Sequence, residues 1–185
     1  MSKPKEIRFS ILCTYVALGT LVSFAATHWA PKPFGRELGQ FRGIHEFTLP
    51  VIAVCVFVVA YELFDVMSVG SASKLASAKT ESSMHRTDAS KKPVEYVNAE
   101  RAQLNQVEQF PFFLAALASC SLMVSGPLAG ALGAFWVGIR IAYGFHYRNA
   151  IKLNLFAFTL PCYFILNTLA TSAVVSSIRL MLLQC

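Results

Sequence analysis

Five long apolar segments, separated by shorter polar ones, form the main pattern of the chain. The first runs from Phe9 to Trp29 and contains no Asp, Glu, Lys or Arg over 21 positions. That length lets an α-helix cross a hydrocarbon core of about 30 Å. The other four segments follow at about Phe47 to Val69, Arg101 to Val124, Leu128 to Tyr147 and Leu153 to Leu183. None alternates apolar and polar residues, which argues against a transmembrane barrel. We therefore predict an all-α integral membrane protein with five spans.

The polar segments predict how the chain is divided. Residues 1–46 form an N-terminal extension with one extra transmembrane helix and a connector, and residues 47–185 form a four-helix membrane domain. Within that domain, residues 70–93 are rich in Ser, Ala and Lys and predict a polar, flexible loop. Most Lys and Arg residues fall on the side that holds the N-terminus and this loop, so we assign that side to the cytosol or its equivalent.

Composition supports the membrane assignment and excludes two classes of site. Hydrophobic residues make up 55% of the chain and charged residues 14%, with a mean hydropathy of +0.53. The net charge of +6 comes from Lys and Arg between the apolar runs, which is how membrane topology is encoded, so no nucleic-acid partner is predicted. The five cysteines are scattered, and the four histidines lack the spacing of metal ligands. We therefore predict no metal site.

Two polar stripes interrupt the third and fourth apolar runs. Arg101, Asn105, Glu108 and Phe112 recur at i, i+4, i+7 and i+11, which places them on one face of a helix. Arg140, Tyr143 and Tyr147 recur at i, i+3 and i+7 on the next helix. Since only the short segment Ser125–Pro127 joins the two helices, they are expected to be antiparallel neighbours. The two stripes then meet at the same side of the membrane.

Two interpretations of these stripes are open from spacing alone. Polar groups in spans often hold helices together, at about 0.6 to 2 kcal/mol per contact, and Glu108 could form a buried ion pair with Arg101 or Arg140. Alternatively, the stripes form a ligand site, because inward-facing charges in membranes commonly mark function. Arginines bind carboxylates or phosphates, while a carboxylate and an amide bind ammonium and peptide groups. A small zwitterionic peptide or a lipid headgroup would suit this set.

The motifs themselves resemble a known family. The stretch Arg101-Ala-Gln103-Leu-Asn105-Gln-Val-Glu108, the Ser125–Pro127 turn and Arg140-Ile-Ala-Tyr143 resemble the membrane-associated proteins in eicosanoid and glutathione metabolism (MAPEG), in particular the microsomal glutathione transferases. The resemblance extends from Phe47 to about Leu183. It implies a MAPEG-like four-helix protomer, assembly as a homotrimer, and glutathione as a co-substrate bound between neighbouring subunits near the cytosolic face.

The resemblance also assigns roles to individual residues. It implies that glutathione is held by Arg101, Asn105, Glu108, Tyr143 and Tyr147, that Gln103 reaches it from the adjoining protomer, and that Arg140 supports the pocket. In the eicosanoid synthases of the family, an arginine soon after the tyrosine that matches Tyr147 activates the thiol; here Asn154, Phe156 and Ala157 occupy that stretch. A free thiol has a pKa of about 8.5 and needs such a cation at neutral pH. Arg148, Lys152 and Tyr147 are the candidates to replace it.

These observations lead to one function and two alternatives. The first is a glutathione-dependent transferase or peroxidase that acts on lipophilic electrophiles or lipid hydroperoxides in an intracellular membrane, the endoplasmic reticulum above all. The second is a non-catalytic relative that serves as an accessory subunit of a larger membrane complex, for example an energy-transducing one in a mitochondrial or other organellar membrane. The third is a scaffold whose polar stripes hold a lipid headgroup.

Overall fold

The computed structural model describes residues 21, 44–80, 92–149 and 156–184, and all regular structure within these ranges is helical. A short 3₁₀ turn, Ile44–Phe47, leads into the long helix α1. This helix consists of an α-helical part Thr48–Ala60, a π-helical part Tyr61–Val66 and a second α-helical part Met67–Thr80. The other helices are α2 (Val94–Met123), α3 (Gly126–Arg148) and α4 (Phe156–Gln184).

A tight turn makes α2 and α3 antiparallel neighbours. Ser125 adopts an extended backbone and its hydroxyl accepts a hydrogen bond from the Leu128 amide at 3.5 Å, which caps α3. Pro127 follows in the first turn, where its missing N–H costs nothing. The helices then pack as a bundle in which α3 contacts α1, α2 and α4, and α4 also contacts α2. The predicted short connection is therefore confirmed.

The π-helical part of α1 changes which face of that helix is buried. In the first part the buried positions follow ordinary α-helical spacing: Pro50, Ala53, Phe57 and Ala60. Continued spacing would bury Phe64, but Phe64 is 48% exposed and Asp65 is only 4% exposed. A π turn accommodates one extra residue, so every position after it is rotated relative to the first part. The result is that a carboxylate, instead of a phenyl ring, enters the bundle.

Aromatic side chains fill the core between α1, α2 and α3. The Trp136 and Phe113 rings are stacked with centroids 4.0 Å apart, and the Phe57 and Phe110 rings are stacked at 4.9 Å. Helix α4 completes this core with Ile165 and Leu169. Such rings contribute large apolar areas and prefer offset packing. Close approach of α3 to α1 depends on Gly130, where a Cβ atom would lie 2.7 Å from Leu49 and Pro50.

The structure bears out the membrane assignment and only part of the predicted topology. Among the described residues, three helical stretches are long and apolar enough to cross a membrane: Thr48–Ala78, Gly126–Arg148 and Phe156–Leu182. Helix α2 is not among them, because charged and amide side chains interrupt it up to Gln109 and only the shorter part from Phe110 onward is free of them. An all-helical membrane protein is thus confirmed. Of the extra N-terminal span, Phe9 to Trp29, only Leu21 is among the described residues, so this span stays a prediction.

Two predicted boundaries on the polar side are wrong. The loop expected from Gly70 is helical through Thr80, since Ala, Leu and Lys favour helix and a single glycine costs only about 1 kcal/mol. Helix α2 begins at Val94, not near Arg101. The two extensions support each other: Tyr96 is 1% exposed and packs in a small cluster with Val69, Ala72 and Ala76. The central part of the predicted loop, 81–91, lies outside the described residues.

Candidate functional site

A clasp between α2 and α3 forms the buried centre of the polar region. Arg140 is 4% exposed and Gln106 is 2% exposed. The Arg140 Nε–H donates to Gln106 Oε1 at 2.7 Å, and Gln106 Nε2 donates back to the Arg140 carbonyl at 2.9 Å. The Arg140 Nη2 also donates to the Asn105 carbonyl at 2.6 Å. In this clasp the buried guanidinium and the amide satisfy each other, as burial requires.

An ion pair between α1 and α3 extends the polar region. Arg148 Nη1 donates to Asp65 Oδ1, and both side chains are nearly buried. Gly144 lies where this pair meets the clasp: a Cβ atom there would be 3.0 Å from Gln106 Nε2 and 3.2 Å from Asp65 Oδ1. The absence of a side chain at Gly144 therefore lets Asp65 and Gln106 approach the same point of α3.

The clasp is linked to the phenols of α3 through Asn105. Asn105 Nδ2 donates to the Tyr143 hydroxyl at 3.1 Å, and the Tyr143 and Tyr147 rings lie 5.7 Å apart. The Arg140 guanidinium lies 4.8 Å from the centre of the Tyr143 ring, a favourable position for a cation over an aromatic face. The structure thus brings Asn105, Arg140, Tyr143 and Tyr147 together, as their spacing predicts.

The remaining residues of the α2 stripe face outward. Arg101 and Glu108 are exposed, and Phe112 is 70% exposed. Within the described ranges, neither Arg101 nor Glu108 forms an ion pair. The buried pair of Glu108 with Arg101 or Arg140, considered from the sequence, is not formed, because Arg140 points into the bundle and Glu108 away from it. This outer face has an arginine, an amide and a carboxylate available to a partner or ligand.

Two further glutamines of α2 bond to tyrosines of their own chain. Gln103 Nε2 donates to the Tyr61 hydroxyl at 3.0 Å, and Gln109 Nε2 donates to the Tyr163 hydroxyl at 3.3 Å. Gln103 is thus engaged by the π-helical part of α1. Its predicted reach to a ligand of the adjoining protomer stays a prediction that would require this bond to be exchanged.

The candidates for thiol activation lie in different surroundings. Arg148 is engaged by Asp65, on the side of α3 that faces α1. Tyr147 is partly exposed beside Tyr143, and Lys152 lies outside the described residues. At the start of α4, Phe156 and Ala157 are exposed and offer no cation. Among the described candidates, only Tyr147 lies beside Tyr143, the tyrosine that is bonded to Asn105 of the α2 stripe.

Sequence reasoning missed Gln106 and Asp65. Gln106 belongs to the core face of α2, whose buried positions include Ala99, Ala102, Phe113, Leu117 and Cys120. A single amide among small and apolar residues at that spacing indicates a buried polar contact, so Gln106 could have been found from the sequence. Asp65 carries no such signal, because only the π turn brings it inside.

An apolar groove adjoins the outer face of α2. It has a volume of about 950 Å³ and lies between α2 and α4, from Phe112 and Tyr163 at the polar end to Met123 and Met181 at the other. Its lining is mostly apolar, which suits the hydrocarbon part of a lipophilic molecule. No cluster of metal-ligating side chains occurs in the described part of the chain.

Comparison with known proteins points in the same direction as the site. The sequence model of the MAPEG family matches residues 48–174, which include α1 from its first α-helical residue, all of α2 and α3, and most of α4. A search of curated proteins finds no match.

Proposed function

The chain belongs to the MAPEG family, and we propose from this premise that it is a glutathione-dependent membrane transferase or peroxidase. One observation carries the proposal. Arg101, Asn105 and Glu108 share the outer face of α2, and Asn105 joins that face to Tyr143 through a hydrogen bond of 3.1 Å. A face with these groups complements a tripeptide that has two carboxylates, one ammonium and peptide amides.

Each group of the face has a chemical role in this proposal. Arg101 binds a glutathione carboxylate in forked geometry, and Glu108 binds the ammonium group. The Asn105 amide, which has a carbonyl oxygen and a second N–H beyond its bond to Tyr143, binds a peptide group. Tyr143 and Tyr147 present hydroxyls toward the thiol. Because this face is exposed in one protomer, a neighbouring copy in a homotrimer would cover the bound peptide.

The reaction follows from thiolate chemistry. With an electrophile, the glutathione sulfur forms a bond to carbon and displaces the leaving group. With a lipid hydroperoxide, the thiolate attacks the terminal oxygen and releases the lipid alcohol, and a second glutathione then yields the disulfide and water. The α2–α4 groove gives a lipophilic substrate a route from the bilayer to the end of the stripe at Phe112 and Tyr163. The endoplasmic reticulum is the membrane proposed for this activity.

Purified protein in mild detergent tests this function. We expect glutathione binding by calorimetry, and turnover with a chlorodinitrobenzene or a fatty-acid hydroperoxide. Replacing Glu108 by Gln removes the partner of the ammonium and should weaken binding about tenfold, as expected for a lost charged hydrogen bond. Glu62→Gln is the matched control, because it replaces an exposed carboxylate on α1 by the same carboxamide. This variant should bind glutathione as the unaltered protein does. Absence of binding at millimolar glutathione would overturn the proposal.

A specific observation favours a second candidate, the non-catalytic accessory subunit. Arg148 is held by Asp65, and Phe156 and Ala157 begin α4 without a cation. A pocket of this kind can bind glutathione or an anionic headgroup without activating a thiol. Extraction from native membranes in mild detergent distinguishes the two candidates: a homotrimer free of other subunits supports the enzyme, while one copy among many different subunits supports the accessory role.

A further inference from the structure

The buried amide of Gln106 contacts α3 at two places at once. Its oxygen accepts from the Arg140 side chain at 2.7 Å, and its nitrogen donates to the Arg140 backbone at 2.9 Å. A bond to the side chain alone could follow movements of the long arginine stem. A bond to the backbone cannot follow such movements. The two bonds together therefore fix both the axial position and the rotation of α2 relative to α3 at Gln106.

Asn105, the neighbour of Gln106, belongs to the outer face and is part of the same arrangement. Its carbonyl accepts from Arg140 at 2.6 Å, while its side chain reaches the Tyr143 hydroxyl at 3.1 Å. The distance between the α2 stripe and the α3 phenols therefore depends on the clasp one residue away. Displacements of about 1 Å in a binding constellation can cost a hundredfold in function.

From this geometry we infer that Gln106 is a positioning residue of the ligand face: through Arg140 it holds Asn105 and Tyr143 in register, without touching the ligand itself. The inference rests on the proposed glutathione site. Gln106 is 2% exposed, so a ligand on the outer face cannot contact it. Gly144 provides the space that Gln106 needs beside α3, because a Cβ atom at that position would lie 3.0 Å from Gln106 Nε2.

Calorimetric titration of glutathione into the detergent-solubilised full chain tests the inference with three variants. Gln106→Leu keeps the approximate volume and removes both bonds, and should raise the Kd for glutathione about tenfold. Gln106→Glu keeps the acceptor for Arg140 Nε but loses the donor to the Arg140 carbonyl, so it should raise the Kd by about threefold, between the unaltered protein and Gln106→Leu. Leu117→Ala opens a cavity in the same helix, three turns away, and should leave the Kd unchanged despite lower stability.

The outcomes separate this inference from the function on which it rests. If the unaltered protein binds glutathione and Gln106→Leu binds equally well, or if Leu117→Ala weakens binding as much, the positioning role is wrong while the function stands. If the unaltered protein does not bind, the proposed function fails and the inference fails with it. If Gln106→Leu does not yield folded protein, Arg140→Lys takes its place. This change removes the guanidinium bonds to Gln106 Oε1 and to the Asn105 carbonyl, and it should raise the Kd by a similar factor.

Discussion

Arg101 and Arg140 are the same residue type on neighbouring helices, but their surroundings give them different tasks. Arg140 is 4% exposed and its donors bond to Gln106 and Asn105, whereas Arg101 is exposed on the outer face of α2. A buried arginine that loses its partners, or partners that lose their arginine, leave polar groups unsatisfied. Arg140 therefore contributes to stability, and Arg101 is free to contribute to binding.

Replacing each arginine by Met should separate these tasks. Arg140→Met leaves Gln106 Oε1 and the Asn105 carbonyl without their donor and should lower the free energy of unfolding by about 3 kcal/mol. Arg101→Met should change it by less than about 1 kcal/mol, because exposed charges contribute little, yet it should weaken glutathione binding. Unfolding in mixed micelles with increasing dodecyl sulfate measures the stabilities. Equal losses for the two variants would contradict the assignment.

Gly130 and Gly138 offer a second matched comparison, on α3. A Cβ atom at Gly130 would lie 2.7 Å from Leu49 and Pro50, whereas nothing lies within 4 Å of one at Gly138. Gly130→Ala should therefore push α3 from α1 and lower stability by about 1 to 3 kcal/mol. Gly138→Ala should be neutral or stabilising by up to about 1 kcal/mol, since Ala favours helix. The same unfolding experiment decides, and a loss at Gly138 equal to that at Gly130 would refute the packing argument.

Among the elements, α1 shows most clearly where sequence patterns stop being informative. Regular spacing correctly predicts that Arg101, Asn105 and Glu108 share one face of α2, because that part of α2 is an uninterrupted α-helix. The same spacing applied to α1 would bury Phe64, whereas the π-helical part buries Asp65. Because the exposed positions of α1 before the π-helical part are as apolar as the buried ones, hydrophobic periodicity does not reveal a one-residue register shift there, and the Asp65–Arg148 ion pair could not be predicted. The partner of Arg140 was missed for a different reason: Gln106 follows the regular spacing of the core face of α2 and therefore lies outside the motif face.

The π-helical part predicts a large effect for a conservative change. Asp65→Asn leaves Arg148 with its charge unpaired in a nearly buried position, and should cost about 3 to 5 kcal/mol of stability. Replacing both partners, Asp65→Asn with Arg148→Gln, removes the uncompensated charge and should recover most of the loss. Glu62→Gln, in the same π-helical part but exposed, is the control. If the single and the double variant are equally unstable, the ion pair is not what holds α1 to α3.

For the whole molecule, the described helices form a scaffold with a polar end and an apolar remainder. The end of α1, the start of α2 and the end of α3 meet at the polar end, and the α2–α4 groove runs from there along the apolar part. The exposed side chains of Arg101 and Glu108 lie on the outer face of α2, which is where the proposed function places a ligand and a second copy. Glutathione binding and homotrimer assembly are therefore expected to depend on the same face.

Native mass spectrometry of the protein, released from detergent with glutathione added, tests this claim most directly because it reports assembly and occupancy together. The account predicts a homotrimer that carries bound glutathione, with occupancy strongly reduced in Glu108→Gln and unchanged in Glu62→Gln. A protein that carries no glutathione at millimolar concentration, or that binds it equally well without Glu108, would contradict the account.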